Sequence, residues 1–94
     1  MGEKFQTGSL VMTAGVAELG AANESFAHFV RKSLRRHTDG DWGDLSAEDI
    51  LENEYALGKH LRLFSAYKHS GHPKIWIITE ADRSLTTVLY PEEY

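Results

Sequence analysis

The sequence predicts an α+β domain in the order β-αα-βββ, an antiparallel meander with two helices packed on one face. Three observations carry this. Residues 74–91, KIWIITEADRSLTTVLYP, read as two runs of β-branched and aromatic residues joined by a polar turn. Two upstream stretches have apolar residues at helical spacing and begin with capping residues. The whole chain, 94 residues with 41% hydrophobic and 26% charged, suits one ordinary globular domain with a single core.

In chain order, Ser9–Thr13 (SLVMT) is a short strand candidate. Gly15–Ala22 is small and apolar, enough for one helical turn or two. Asn23 is placed to cap a helix over Glu24–Arg36. Phe26, Phe29, Val30 and Leu34 form its apolar face, while Glu24 at the start and Arg35, Arg36 and His37 at the end suit the helix dipole. A loop follows through Asp39, Asp41 and Asp44, rich in Gly and Asp. The second helix starts with Ser46 as N-cap, Asp49 at the third position, and Leu45 and Ile50 spaced as a hydrophobic staple. Gly58 is expected to end it. Asn53 lies between Ile50 and Leu57, so its amide is expected to be partly buried and to bond the backbone of the 39–44 loop. Leu61–Tyr67 alternates, with Leu61, Leu63, Ser65 and Tyr67 on one face and Arg62, Phe64 and Ala66 on the other.

The two last strands are predicted at Ile75–Thr79 and Leu85–Tyr90, with Pro91 ending the second. The intervening Glu80–Ser84 has no Gly, which favours a four- or five-residue loop over a two-residue primed turn. Ile75–Thr79 is apolar on both faces and therefore needs cover on both. Two helices cover one. If the register pairs them, Trp76 and Ile78 share the other face with Thr86, Val88 and Tyr90, and that set is too apolar for open water.

Composition excludes several function classes. The chain has no cysteine, so disulfides, thiolate metal sites and cysteine nucleophiles are out. Its net charge of −4 disfavours a general nucleic-acid binder. No apolar run reaches membrane-spanning length, and MGEKFQTGSL does not read as a signal peptide, so a cytoplasmic protein without membrane contact is the expectation. Charge falls in alternating blocks: residues 38–57 hold seven acids and no base, residues 58–75 four bases and no acid. Such blocks neutralise one another when the fold brings them together.

Four constellations could carry chemistry. Asp39, Asp41 and Asp44 resemble the opening of a calcium loop, but the sixth position is Asp44 rather than Gly and the twelfth is Ile50 rather than Glu. His69 and His72 have metal-ligand spacing but no third ligand nearby, so neither set predicts a metal, and no cofactor is expected. The basic cluster Arg31, Lys32, Arg35 and Arg36 suits a solvated helix end as well as a phosphate contact. His60, Arg62, Ser65, Thr87 and Tyr90 would, if they met on the sheet, offer a base and phosphate donors for metal-free RNA cleavage, with His37 as another candidate base.

GDWGDL at 40–45, Glu48-Asp49 with Asn53, RLFSAY at 62–67, IWIITEADRSLTTVL at 75–89 and the closing PEEY are similar to a family of short bacterial proteins often labelled plasmid-related. The likeness covers roughly residues 37–94. Some members carry the label of a type I restriction modification subunit, but a chain of 94 residues has no room for a methyltransferase domain and shows no Gly-rich cofactor loop after a strand. The family has no established activity, so the resemblance implies no catalytic residues. It implies a protein of a bacterial mobile element. Helices followed by an antiparallel meander, with a Thr-rich last strand and a Pro, also resemble the barnase, EndoU, colicin and RelE-like ribonucleases at the level of fold. The sequence thus predicts a non-enzymatic binding or regulatory protein that acts through a protein partner or a homodimer, with Trp76, Tyr90 and Arg83 in the contact. A small metal-free ribonuclease is the alternative.

Overall fold

Packing of the helical stretches on the predicted strands gives an α+β domain in the computed structural model, which describes residues 3–94. The order is β1 (Ser9–Met12), α1 (Ala14–Ala22), α2 (Glu24–Thr38), α3 (Ala47–Lys59), β2 (Leu63–Tyr67), β3 (Ile75–Thr79), β4 (Leu85–Leu89) and a closing 3₁₀ turn, Pro91–Glu93. The capping residues act as the sequence predicts. Asn23 Oδ1 accepts from Phe26 N at 3.1 Å and Ser46 Oγ from Asp49 N at 3.1 Å.

Several expectations are corrected. The Gly15–Ala22 stretch is not a turn or two but a nine-residue helix, α1, which makes three helices. Thr13 leaves the predicted strand to cap it, accepting from Val16 N. The second strand begins at Leu63 rather than Leu61. Gly58 lies within α3, and His60 takes the left-handed cap at φ 57°. The meander β2-β3-β4 is antiparallel, but β1 adds to β4 in parallel, so the sheet is mixed with order β1-β4-β3-β2. The reason is topological: β3 already fills one side of β4, and the only remaining hydrogen-bonding edge of β4 is the one that β1 occupies.

The hairpin register also differs. Trp76 pairs with Leu89, Ile77 with Val88, Ile78 with Thr87 and Thr79 with Thr86. Directly paired residues share a face. Trp76 and Ile78 therefore lie with Thr87 and Leu89, while Thr86, Val88 and Tyr90 lie on the helix side.

The helix side holds the core. Val16, Phe26, Phe29, Val30, Tyr67, Ile75, Ile77 and Val88 form one buried cluster. Trp42, Ala56 and Leu63 form a second, flanked by Phe5, Leu45, Ile50 and Leu57. Full burial of a side chain such as Phe26 contributes about 1.5–3 kcal/mol.

The two edges of the sheet are treated differently. In β2, Phe64 and Ala66 point their backbone groups away from β3. Asn53 meets both groups of Phe64: its Nδ2 donates to the Phe64 carbonyl, and its Oδ1 accepts from Phe64 N at 3.2 Å. The partner of Asn53 is thus strand β2, not the 39–44 loop. That loop instead covers Ala66, whose N–H donates to Trp42 O at 3.3 Å and whose carbonyl accepts from Asp44 N at 2.7 Å. Gly43 has φ 77°, and a Cβ there would overlap the Ala66 carbonyl, so only glycine fits.

Candidate functional site

A polar chain lies between the two apolar clusters. His37 ends the buried stripe Phe26, Val30, Ser33, His37 of α2, and its ring is fully buried. Its Nδ1 lies 2.5 Å from Ser65 Oγ and its Nε2 2.9 Å from Thr79 Oγ1. Thr79 Oγ1 in turn lies 2.7 Å from Thr86 Oγ1, which donates to the Thr7 carbonyl at 2.8 Å. That carbonyl only accepts, so it fixes the direction of every bond. Thr86 spends its proton on Thr7 and accepts from Thr79. Thr79 accepts from His37 Nε2–H, and the bare Nδ1 accepts from Ser65.

A serine donating to a neutral histidine is the arrangement that activates a nucleophile. Here it is sealed. Ser65, Thr79 and Thr86 are fully buried. Phe5 and Trp42 pack edge-on against the His37 ring, at 5.2 and 5.6 Å between centroids. Trp42 is held by Glu54, which accepts from its Nε1 at 2.7 Å, and the N-terminal segment is pinned where Lys4 N donates to Thr38 O. Burial, with the nearby Arg83 charge adding to it, pushes the His37 pKa down to about 3. Ser65 has no exposed surface, and every buried side-chain polar atom among the described residues has a partner. The chain is a structural network.

The five residues of the conditional ribonuclease set do not come together. His60 is the exposed cap of α3, Ser65 belongs to the sealed network, and Arg62 pairs with Glu80 at 3.4 Å at the sheet surface. Thr87 lies on the open face and Tyr90 on the helix face, where its hydroxyl donates to Gly15 O at 3.2 Å and its ring packs on Phe26. Arg83, at φ 62° in the β3–β4 turn, points its guanidinium at the carbonyls of Leu61, Glu80, Ala81 and Ala56, so it ties that turn to the end of α3. Some members of the other constellations pair within the fold. Asp41 accepts two bonds from Arg36, which hold its carboxyl below the ordinary range. Arg31 pairs with Glu24 at 3.2 Å. His72 stacks on Phe29 and lies 3.0 Å from Ser25 Oγ. No three acidic or histidine side chains among the described residues converge as a metal site would need.

One accessible feature among the described residues is an apolar groove in two adjoining parts. One part, about 730 Å³, runs between α3 and the start of β2 and is lined by Leu51, Tyr55, Leu61, Arg62 and Phe64 with acidic Asp49 and Glu52 at its side. The second, about 250 Å³, continues over the open face of the sheet across Phe64, Trp76, Ile78 and Tyr94. Arg62 and Phe64 line both. Phe64 and Trp76 pack edge to face at 4.9 Å, and Tyr94 leans on Trp76 at 5.6 Å, its hydroxyl bonded by Arg62 at 2.8 Å. Leu51 and Tyr55 are 69% and 62% exposed, unusual for residues of their type beside one another. Of the residues that the sequence placed in a contact, Trp76 is on this groove; Tyr90 and Arg83 are not among its lining residues. Leu51 and Tyr55 read from the sequence as part of one loose apolar stripe with Ala47, Ile50 and Leu57, but the structure turns them outward: they lie one turn apart on the side of α3 away from buried Asn53 and Ala56.

No protein-family model matches the chain, and no curated protein and no solved structure matches it either.

Proposed function

We propose that the protein is a non-enzymatic binding or regulatory protein that acts through protein–protein contacts, and that the α3–β2 groove is its contact surface. The observation that carries this is the groove itself: exposed Leu51, Tyr55 and Leu61 run without a break into Phe64 and Trp76. Contiguous exposed apolar surface of this kind marks an interaction site. Tyr and Trp are the side chains that most often dominate binding energy at such sites. Asp49 and Glu52 beside the apolar floor favour a partner segment that is apolar with a basic flank. The sealed histidine network and the scattering of His60, Arg62, Ser65, Thr87 and Tyr90 weigh against the ribonuclease reading, which needs base and donors around one accessible phosphate. From the resemblance to plasmid-related bacterial proteins we propose a bacterial mobile element as the setting of this contact.

The test is affinity capture from a bacterial host extract with wild type, Tyr55→Ala and Trp76→Ala. A discrete protein retained by the wild type and lost from both variants, each still folded by circular dichroism, is expected. Retention that is indifferent to both substitutions would refute the assignment of the groove.

A further inference from the structure

The fold closes one sheet edge and leaves the other bare. On β2, the Asn53 amide and the 42–44 backbone occupy the outward groups of Phe64 and Ala66. Along β1 and just past it, Ser9 N and Thr13 N donate inward to Ser84 O, which precedes β4, and to Val88 O of β4. Backbone groups alternate in direction along a strand, so Leu10 and Met12 point their N–H and C=O groups outward. Among the described residues these four groups have no partner. Nothing on β1 discourages pairing: the strand has no charge, no proline and no bulge. Leu10, Val11 and Met12 are 54%, 41% and 46% exposed.

We propose that β1 is a dimerisation edge whose occupant is the β1 strand of a second copy, antiparallel about a two-fold axis through Val11. The register follows from which groups are free. Only Leu10 and Met12 of β1 present both donor and acceptor outward, and they flank Val11 symmetrically. Antiparallel pairing then sets Leu10 against Met12 of the second copy, and Met12 against its Leu10, with four backbone hydrogen bonds. Val11 meets its own counterpart as the close, non-hydrogen-bonded pair. All three cross-strand pairs are apolar, the kind that stabilise a sheet, and no like charges oppose one another. Leu10 and Met12 lie on the helix face, since they pair with Thr86 and Val88. There a groove of about 210 Å³, lined by Met12, Val16, Ala17, Ala27 and Val30 together with Arg31, opens beside Met12 and receives the second copy's Leu10. A foreign strand would satisfy the same backbone groups, but the match of apolar residue to apolar residue at every position is a property of this strand with itself. The assembly is an eight-stranded sheet with β2 at both ends, so both α3–β2 grooves stay open. The pairing rests on the backbone accounting and not on what those grooves bind.

The absence of cysteine allows a direct test. In Val11→Cys the two thiols face each other across the axis, at the Cα separation of about 4.5 Å that a disulfide accepts. Ser9→Cys is also exposed, but the same register sets residue 9 opposite Thr13 of the second copy, which holds the two Ser9→Cys thiols too far apart to join. Oxidation of Val11→Cys to a covalent dimer is expected to run at least about tenfold faster than that of Ser9→Cys, because the pair raises the local thiol concentration. Equal rates overturn the register. Sedimentation of the wild type at about 0.5 mM, where even a millimolar pair is substantially populated, is expected to show a dimer. Val11→Lys and Val11→Glu should each be monomeric and folded, and their mixture should dimerise again. A monomeric wild type, or a dimer indifferent to Val11→Lys, overturns the proposal.

Discussion

Neutral His37 makes folding depend on pH in a window that the buried ring defines. The ring's pKa is about 3 in the fold, against 6.5 when free. Below pH 6.5 the unfolded chain takes up a proton that the native state refuses. The stability contributed by the neutral ring is therefore fully present above pH 6.5 and is lost progressively as pH falls toward 3. The loss is about 1.4 kcal/mol per pH unit, or about 2.7 kcal/mol between pH 7.5 and pH 4.5. Over the same window Asp41 and Asp82, whose reference value is 3.8 and whose pKa values are lowered by Arg36 and Ser84 respectively, change little in either state. His37→Gln isolates the effect. Its amide can accept from Ser65 and donate to Thr79 but does not titrate. Imperfect geometry in that network should cost about 1–3 kcal/mol at pH 7.5. Urea denaturation at a series of pH values is the assay. The fall in stability between pH 7.5 and 4.5 should be about 2.7 kcal/mol smaller in the variant than in the wild type. Parallel pH dependences, or a His37 ring that titrates near 6.5 by NMR, would show that the histidine is not sealed and that the reasoning fails.

Two further outcomes concern the covered edge of the sheet. Asn53→Leu leaves the N–H and C=O of Phe64 unpaired and should lower stability by about 1–3 kcal/mol; an unchanged denaturation midpoint would show that water replaces the amide at no cost. Gly43→Ala puts a Cβ into the Ala66 carbonyl at a φ of 77°, so it should destabilise by more than about 1 kcal/mol, whereas Gly58→Ala, with open space around it inside α3, should be neutral or stabilising. Thermal melts of the two variants side by side decide this, and equal midpoints would remove the close-approach argument.

The local chemistry of the chain was enough to place most elements. Asn23 and Ser46 announce their helices because a short side-chain oxygen is what an orphan N–H at a helix start needs. Alternation in 63–67 correctly separates Leu63, Ser65 and Tyr67 from Phe64 and Ala66, because successive strand side chains must point to opposite faces. The buried role of His37 was also legible in principle. It continues the Phe26, Val30, Ser33 spacing, but its place at a helix C-terminus gives an equally good electrostatic reason for a histidine. A basic side chain there satisfies both rules, and only burial distinguishes them.

Everything that required two distant segments to meet was decided by the tertiary structure. Alternation gives each strand two faces but does not say which residue of a neighbour stands opposite, and the loop 80–84 set a register that moved Tyr90 to the helix side, away from Trp76. Asn53 announced a buried amide, but its partner was fixed by where α3 lands on β2, not by the nearest loop in sequence. The four hydroxyl and ring groups of the polar network come from α2, β2, β3 and β4, and the carbonyl that orients them all belongs to Thr7, far from any of them along the chain. The sequence by itself determined period, face and cap, which depend on neighbours within about a helical turn. Strand order, the parallel seat of β1 and the one edge left open depend on which hydrogen-bonding surface is still free when the chain closes, and no local pattern records that.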